Sequence, residues 1–446
     1  MSPTPEPGYK KILLLTWPII LANSATPLLG LADTAVIGNI AGTAHLGAIA
    51  LGALLFNFIY WGFGFLRMST TGFVAQASGR NDSAAILEIT LRALCTGLLI
   101  GALLMLLQWP LGRIAYSLFG ASEDVETLSQ QYFAVRIWGA PATLGTYVLM
   151  GYFIGQGLNR RLLLIQLFLN GLNIGLDVLF AGYFSMGAKG IALGTAIAEW
   201  STLFFGLAMV VQHLRSSQPT LEAILTRLPW GELFKREKIT PVLQANANLM
   251  IRTLFLLLGF AIFTDQGARF GDTTLAANHI LLQFISFSAF FLDGFAFTCE
   301  SLAGKALGQR NRSRFLSIVS RTTRLAAVTA LLLAGGIMLC GPLLLEALTD
   351  LPAVNQSARG YLPLCALYVA VSFAAFQLDG LFIGTTTTVP LRNASVLATS
   401  GFLLLCYSMI PHWGNTGLWL AFIGFVILRA LFLGAYSRRL LRKLEP

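Results

Sequence analysis

Apolar residues run through this chain in long unbroken blocks separated by short polar stretches, without the alternation or helical spacing of a soluble core. A bilayer-spanning helix needs about 20 mostly apolar residues. Twelve stretches meet that need: 12–38, 46–73, 86–110, 128–156, 161–184, 190–213, 240–264, 274–301, 316–345, 357–385, 391–411 and 416–437. The pattern predicts an all-α integral membrane protein of twelve transmembrane helices. Several stretches contain a glycine, proline or charge, which is tolerated where protein or a water-filled cavity satisfies the exposed groups. At the start, Lys10 and Lys11 precede an apolar run to Gly38, too long for a signal-peptide core, so the run reads as a retained first helix.

The pattern repeats. Gly151 to Gly155 (GYFIG) matches Gly380 to Gly384 (GLFIG) at an offset of 229. The same offset aligns Ala75–Gly79 with Gly304–Gly308, and Leu46 and Ala48 with Leu275 and Ala277. An offset of 227 aligns Gly187 and Gly190 with Gly414 and Gly417. Matches in order at near-constant offset indicate duplication, and six intervening helices give both copies the same orientation. Parallel repeats about an axis along the membrane normal are a transporter architecture with the substrate path between the halves. The expected domains are an N-terminal lobe, 1–213, with helices one to six; a cytoplasmic linker, 214–238; and a C-terminal lobe, 239–446, with helices seven to twelve.

Composition agrees. Of 446 residues, 56% are hydrophobic and 11% charged, against about 25% charged in soluble domains; the mean hydropathy is +0.71. The net charge of +10 sits in short loops between apolar runs and acts as a topology determinant, not a nucleic-acid surface. Loops on the terminal side carry Lys10, Lys11, Arg80, Arg160, Arg161 and the basic stretches 215–238 and 305–324, whereas the opposite loops offer Arg113, Lys189 and Arg269. Both termini are therefore expected in the cytoplasm. The five cysteines lie inside apolar stretches with no C-x-x-C spacing, which supports neither a disulfide framework nor a zinc site.

Phosphate-loop and zinc-protease motifs are absent from the sequence, so an ion gradient rather than ATP is the expected energy source, and an enzyme is not expected. Ionisable residues inside spans are expensive and are candidates for function. Asp33, Asp177 and Thr195 fall at similar depth in the outer half of helices one, five and six. Asn173 and Asp177, like Thr195 and Glu199, are spaced i,i+4 on one helix face. Burial and mutual repulsion of two carboxylates favour the protonated form, so such a group can exchange protons near neutral pH. Pro18 and Pro27 precede Asp33, and a proline weakens a helix locally. Arg67 and Asp293, in the inner halves of the equivalent helices two and eight, are a candidate inner gate; a double charge reversal that fails to restore transport would sink that pairing. Arg252 and Asp379 are further intramembrane polar residues, and Arg136, Glu300 and Arg429 read as structural partners.

Leu28 to Gly38 (LLGLADTAVIG), Phe65 to Gly72 (FLRMSTTG), Leu292 to Ala296 (LDGFA) and Leu378 to Gly384 (LDGLFIG) resemble the multidrug and toxic compound extrusion (MATE) transporters, in particular the DinF-type branch. The resemblance spans both halves. It implies two pseudo-twofold-related six-helix bundles around a central cleft that opens alternately to each side. It implies export of organic, cationic amphipathic, drug-like compounds in exchange for H+ or Na+, from a monomer in the bilayer of the bacterial cytoplasmic (inner) membrane, with no cofactor and no nucleic acid. Carried over by residue, Asp33, Asn173, Asp177 and Thr195 form the cation-coupling site and Pro18 marks the bend of helix one. Some branches place an acid on helix seven; this chain has Arg252 there and no acid between Pro241 and Thr264, which favours protons. Two other readings stay open: Na+-coupled drug antiport, and lipid-linked saccharide flipping.

Overall fold

A computed structural model of the protein describes residues 6–40, 43–117, 122–217, 231, 233 and 235–442, without the side chains of 26–40, 43, 115, 216–217, 438–439 and 441–442. All regular structure among the described residues is helical. The first half holds α1 (Tyr9–Ile40), α2 (Thr43–Gly62), α3 (Phe65–Gly79), α4 (Ser83–Leu106), α5 (Gln108–Ser117), α6 (Glu123–Arg136), α7 (Ala140–Gln156), α8 (Asn159–Asp177) and α9 (Gly187–Ser217). The second holds α10 (Arg236–Ala268), α11 (Asp272–Gly308), α12 (Arg312–Leu348), α13 (Pro352–Gly384) and α14 (Thr388–Arg442).

Nine helical stretches among the described residues are long and apolar enough to cross a membrane. The other predicted spans are present in different form. The first coincides with α1, whose side chains are described only to Ala25. The fourth is divided into α6 and α7 by a 3-10 turn, Ile137–Gly139. The last two are the two helical parts of α14, separated at Gly414, whose φ of 54° and ψ of −132° are not helical.

The duplication extends to turn chemistry. Asn81 and Arg310, equivalent at the repeat offset of 229, both have positive φ, as do Gly157 and Thr386 at the same offset. Each pair closes a helix the same way: Asp82 N donates to Ala77 O and Asn311 N to Ala306 O, both at 3.1 Å, while Leu158 N donates to Phe153 O and Thr387 N to Phe382 O. These six-to-one bonds satisfy carbonyls that the helix end would orphan. Asp82 and Asn311 then cap the following helices, accepting from Ala85 N and Arg314 N.

The paired Gly-x-x-x-Gly segments bring backbones into contact. A Cβ at Gly151 would lie 2.5 Å from Arg67 O, and one at Gly155 2.9 Å from Thr71 O. In the second half a Cβ at Gly380 would lie 2.4 Å from Ala296 O and one at Gly384 2.3 Å from Glu300 O. Small residues that allow such approach are how helices associate where lipid removes the hydrophobic drive. The contacted carbonyls are themselves equivalent at the repeat offset, so α7 on α3 and α13 on α11 are one packing made twice.

The chain forms two compact units over its described residues: Leu21–Val242, and Met1–Ile20 with Leu243–Pro446. The first turns of α1 thus pack with the second half, where Thr16 Oγ1 lies 2.9 Å from Thr298 Oγ1 and Arg321 binds Glu6 and the Pro7 carbonyl. Of the predicted linker, Pro219, Pro229 and Trp230 lie outside the described residues. Its end rests on α4: Arg92 Nε donates to Leu233 O at 2.8 Å, and Lys238 Nζ to Glu88 at 2.9 Å. The core of the second-half unit is aromatic, with Phe263, Phe402, Trp419, Phe422 and Phe425 fully buried.

Candidate cation-coupling site

Within the Leu21–Val242 unit, α8 carries three polar residues at i, i+3 and i+7, hence on one face: Asn170, Asn173 and Asp177. Asn173 and Asp177 are fully buried. Neither Nδ2 nor Oδ1 of Asn173 finds a hydrogen-bond partner among the described residues. An unsatisfied buried amide costs about 1–3 kcal/mol, so a position that keeps one holds unused coordinating capacity. Asn170 Nδ2 donates to Ala25 O of α1 at 3.1 Å, tying the polar helix to the first helix between Pro18 and Pro27.

At Asp177 the α-helix ends and a π-helical turn, Val178–Tyr183, begins. Such turns insert a residue into the helical repeat and are frequent at functional sites. Facing it is α9. A Cβ at Gly194 would lie 2.7 Å from Asp177 Oδ1, and one at Gly190 3.0 Å from Ala181 N. Thr195, next to Gly194, is buried and donates its hydroxyl proton to Ile191 O at 2.8 Å. Its oxygen is left with lone pairs only, suited to a protonated carboxyl or a cation rather than to a carboxylate.

The other sequence candidates separate cleanly. The side chain of Asp33 lies outside the described residues, although its backbone continues α1. Pro18 is buried in α1 two residues before the unit boundary at Ile20. Arg67 and Asp293 belong one to each unit, and in the repeat the counterpart of Arg67 is Ala296, one turn from Asp293. Glu199 is held by Arg136 in a buried bidentate pair, both contacts at 2.7 Å. The Arg136 guanidinium also lies over the Phe56 ring at 5.0 Å. Gly139 makes room for that pair, since a Cβ there would lie 1.9 Å from Glu199 Oε2. In the other unit Arg252 of α10 and Arg429 of α14 both donate to Asp379 Oδ2 of α13, the latter at 2.6 Å.

Sequence reasoning passed over Asn170, Gly194 and the π turn. Asn170 was visible as the third member of the polar stripe on helix five. The π turn left a trace in the repeat: the offset falls from 229 to 227 between Asp177 and Gly187, so this copy carries two more residues there than its counterpart. Gly194 had no sequence signal beyond standing four residues after Gly190.

Comparison with known proteins adds an independent line. The MatE family model matches residues 18–179 and again 249–407, one match in each copy of the repeat. The chain is 36% identical over 430 residues to DNA damage-inducible protein F of Escherichia coli K12, covering 96% of this chain and 92% of that protein. It is 27% identical over 385 residues to the probable multidrug resistance protein NorM of Agrobacterium fabrum, covering 84% and 78%. Among solved structures, a MATE protein in the straight conformation superposes with a TM-score of 0.85 at 20% identity, over 99% of this chain and 97% of that one. An outward-facing multidrug resistance MATE family transporter superposes at 0.84 with 19% identity over the same shares. With a multi-pass helical fold, a duplicated plan and a family match in both copies, this chain belongs to the MATE family of membrane transporters, a family of transporters rather than enzymes.

Proposed function

We propose that the protein is a multidrug efflux antiporter that exports organic, cationic amphipathic compounds in exchange for protons, with Asp33, Asn173, Asp177 and Thr195 as the coupling site. The observation that carries this reading is the fully buried Asn173 amide, unbonded among the described residues, one helical turn before the buried Asp177. An amide kept in that state beside a buried carboxyl is suited to an ion that comes and goes. The drug-exporting part of the reading is supported by the name of the Agrobacterium relative. In this mechanism protonation of Asp33 and Asp177 alters α1, with Pro18 as its hinge, and displaces the substrate from the outward-open state. Ionic neutralisation of Asp379 by Arg252 and Arg429 leaves coupling to the other unit. The protein acts as a monomer in the bacterial cytoplasmic membrane with both termini in the cytoplasm, an orientation that its loop charges support.

Sodium coupling is the second reading, since carboxylate, amide and hydroxyl oxygens also suit a hard cation. Purified protein in proteoliposomes, loaded with ethidium and given a pH gradient or a sodium gradient separately, decides between them. Efflux driven by the pH gradient alone is expected; efflux driven by sodium alone overturns proton coupling, and no efflux under either overturns antiport.

A further inference from the structure

The repeat separates two glycines that look alike in sequence. Gly190 and Gly194 stand one turn apart on α9 and face the end of α8. At the local offset of 227 their counterparts in α14 are Gly417 and Ala421. Gly190 and Gly417 do the same work: a Cβ at Gly190 would press on Phe180 C and Ala181 N, and one at Gly417 on Met409 O and Ile410 N, the equivalent positions of the second copy. That glycine belongs to the packing of the two helices and is kept in both copies.

Gly194 behaves differently. Its added Cβ would meet the Asp177 carboxylate, 2.7 Å from Oδ1, and then Leu176 Cβ at 3.2 Å. In the other copy Asp177 becomes Cys406, and there Gly194 becomes Ala421, which is fully buried without the glycine. The π turn that starts after Asp177 is likewise confined to the first copy, since the corresponding stretch of α14 is regular α-helix. Helix packing therefore does not call for glycine at this position, and the carboxylate does.

We propose that Gly194 is a positioning residue for Asp177, a notch on α9 that lets the carboxylate seat against the helix bearing Thr195. This rests on the coupling role of Asp177 proposed above. A methyl group there must displace Oδ1 by several tenths of an ångström, comparable to the tolerance within which functional groups have to be held.

The test uses full-length protein in proteoliposomes, with ethidium efflux followed against pH under an imposed pH gradient. Gly194→Ala is expected to lower the rate by roughly tenfold, as misplacement of a functional group does, and to move the pH midpoint. Gly190→Ala, which disturbs packing without touching the carboxylate, is expected to lower the thermal midpoint and leave the pH midpoint in place. Ala421→Gly is expected to leave the profile unchanged. A wild-type profile in Gly194→Ala, or an equal pH shift in Gly190→Ala, overturns the proposal. Carbodiimide labelling of Asp177 against pH, on the monodisperse fraction in detergent, reads the same displacement without transport. It serves if Gly194→Ala yields little folded protein, and an unaltered labelling curve there overturns the proposal as well. Asp177→Asn in parallel separates the two claims: retained pH-driven efflux removes the coupling role, while the labelling curve still decides whether Gly194 positions the carboxylate.

Discussion

Two regions at the same place in the repeat are built from opposite chemistry. In the first copy the end of helix five carries Asn173 and Asp177, and helix six carries Thr195; in the second, the equivalent positions are Phe402, Cys406 and Phe422. There the Phe402 ring packs 5.4 Å from Phe425 and 5.9 Å from Phe422, inside an aromatic core. The second copy keeps a buried carboxylate elsewhere, at Asp379, and gives it two guanidiniums. One carboxylate region thus has beside it an amide unbonded among the described residues, while the other is closed by its own ion pairs. Duplication supplied the scaffold, and under the coupling role proposed above its copies were filled for different tasks: one to exchange an ion, the other to stay fixed.

The sharpest way to break this contrast is to neutralise each carboxylate in turn. Asp177→Asn, like Asp33→Asn, is expected to abolish gradient-driven efflux while the thermal midpoint stays near wild type; coupled efflux in either variant would refute the assignment. Asp379→Asn is expected to do its damage to the fold. It strands two buried guanidiniums, and breaking a buried pair costs about 3–5 kcal/mol. Arg252→Gln is milder, because Arg429 still holds Asp379 at 2.6 Å, and a lost hydrogen bond to a charged group is worth about 1.5–3 kcal/mol. Thermal unfolding in detergent orders Asp177→Asn, Arg252→Gln and Asp379→Asn. If Asp379→Asn is no less stable than Arg252→Gln, the second region is not the fixed one.

A further variant asks how fixed the supporting pair in the first unit is. Gly139→Ala would put a Cβ 1.9 Å from Glu199 Oε2 and force the carboxylate off Arg136. A loss of about 3 kcal/mol is expected, read as a fall in thermal midpoint. An unchanged midpoint would mean that Glu199 has another place to go and belongs with the exchangeable groups.

Much of this was legible in the sequence. The spans follow from apolar length and the duplication from spaced glycines, because both are set by residue type alone. The polar stripe of helix five was legible because i,i+4 spacing fixes a shared face. What the sequence did not show depends on distances between helices. That Glu199 is spent on Arg136 requires helices four and six to meet, and no local pattern says so. That Asp379 is saturated requires three helices to converge. Gly194 is unremarkable until the Asp177 oxygen is placed above it. The break between the last two spans was legible as well: non-helical Gly414 falls between the two apolar stretches that the sequence separates.

The smallest expected effect tests the copies where they differ least. Gly157 and Thr386 close equivalent helices with φ of 73° and 52° and the same six-to-one hydrogen bond. The left-handed conformation costs a side-chain-bearing residue roughly 1–2 kcal/mol, and Thr is β-branched, which makes it a poor occupant. Replacing Gly157 with Thr gives the first copy what the second already has, so a loss of that order is expected. Thr386→Gly removes the strain but adds about 0.5–1 kcal/mol of unfolded-chain entropy. It also removes whatever the threonine itself contributes at that turn, so any gain should be smaller than the loss in Gly157→Thr, and at most about 1 kcal/mol. Thermal midpoints in detergent compare the two. If Thr386→Gly is clearly destabilising, the threonine contributes an interaction of its own, and the two turns are alike only in backbone.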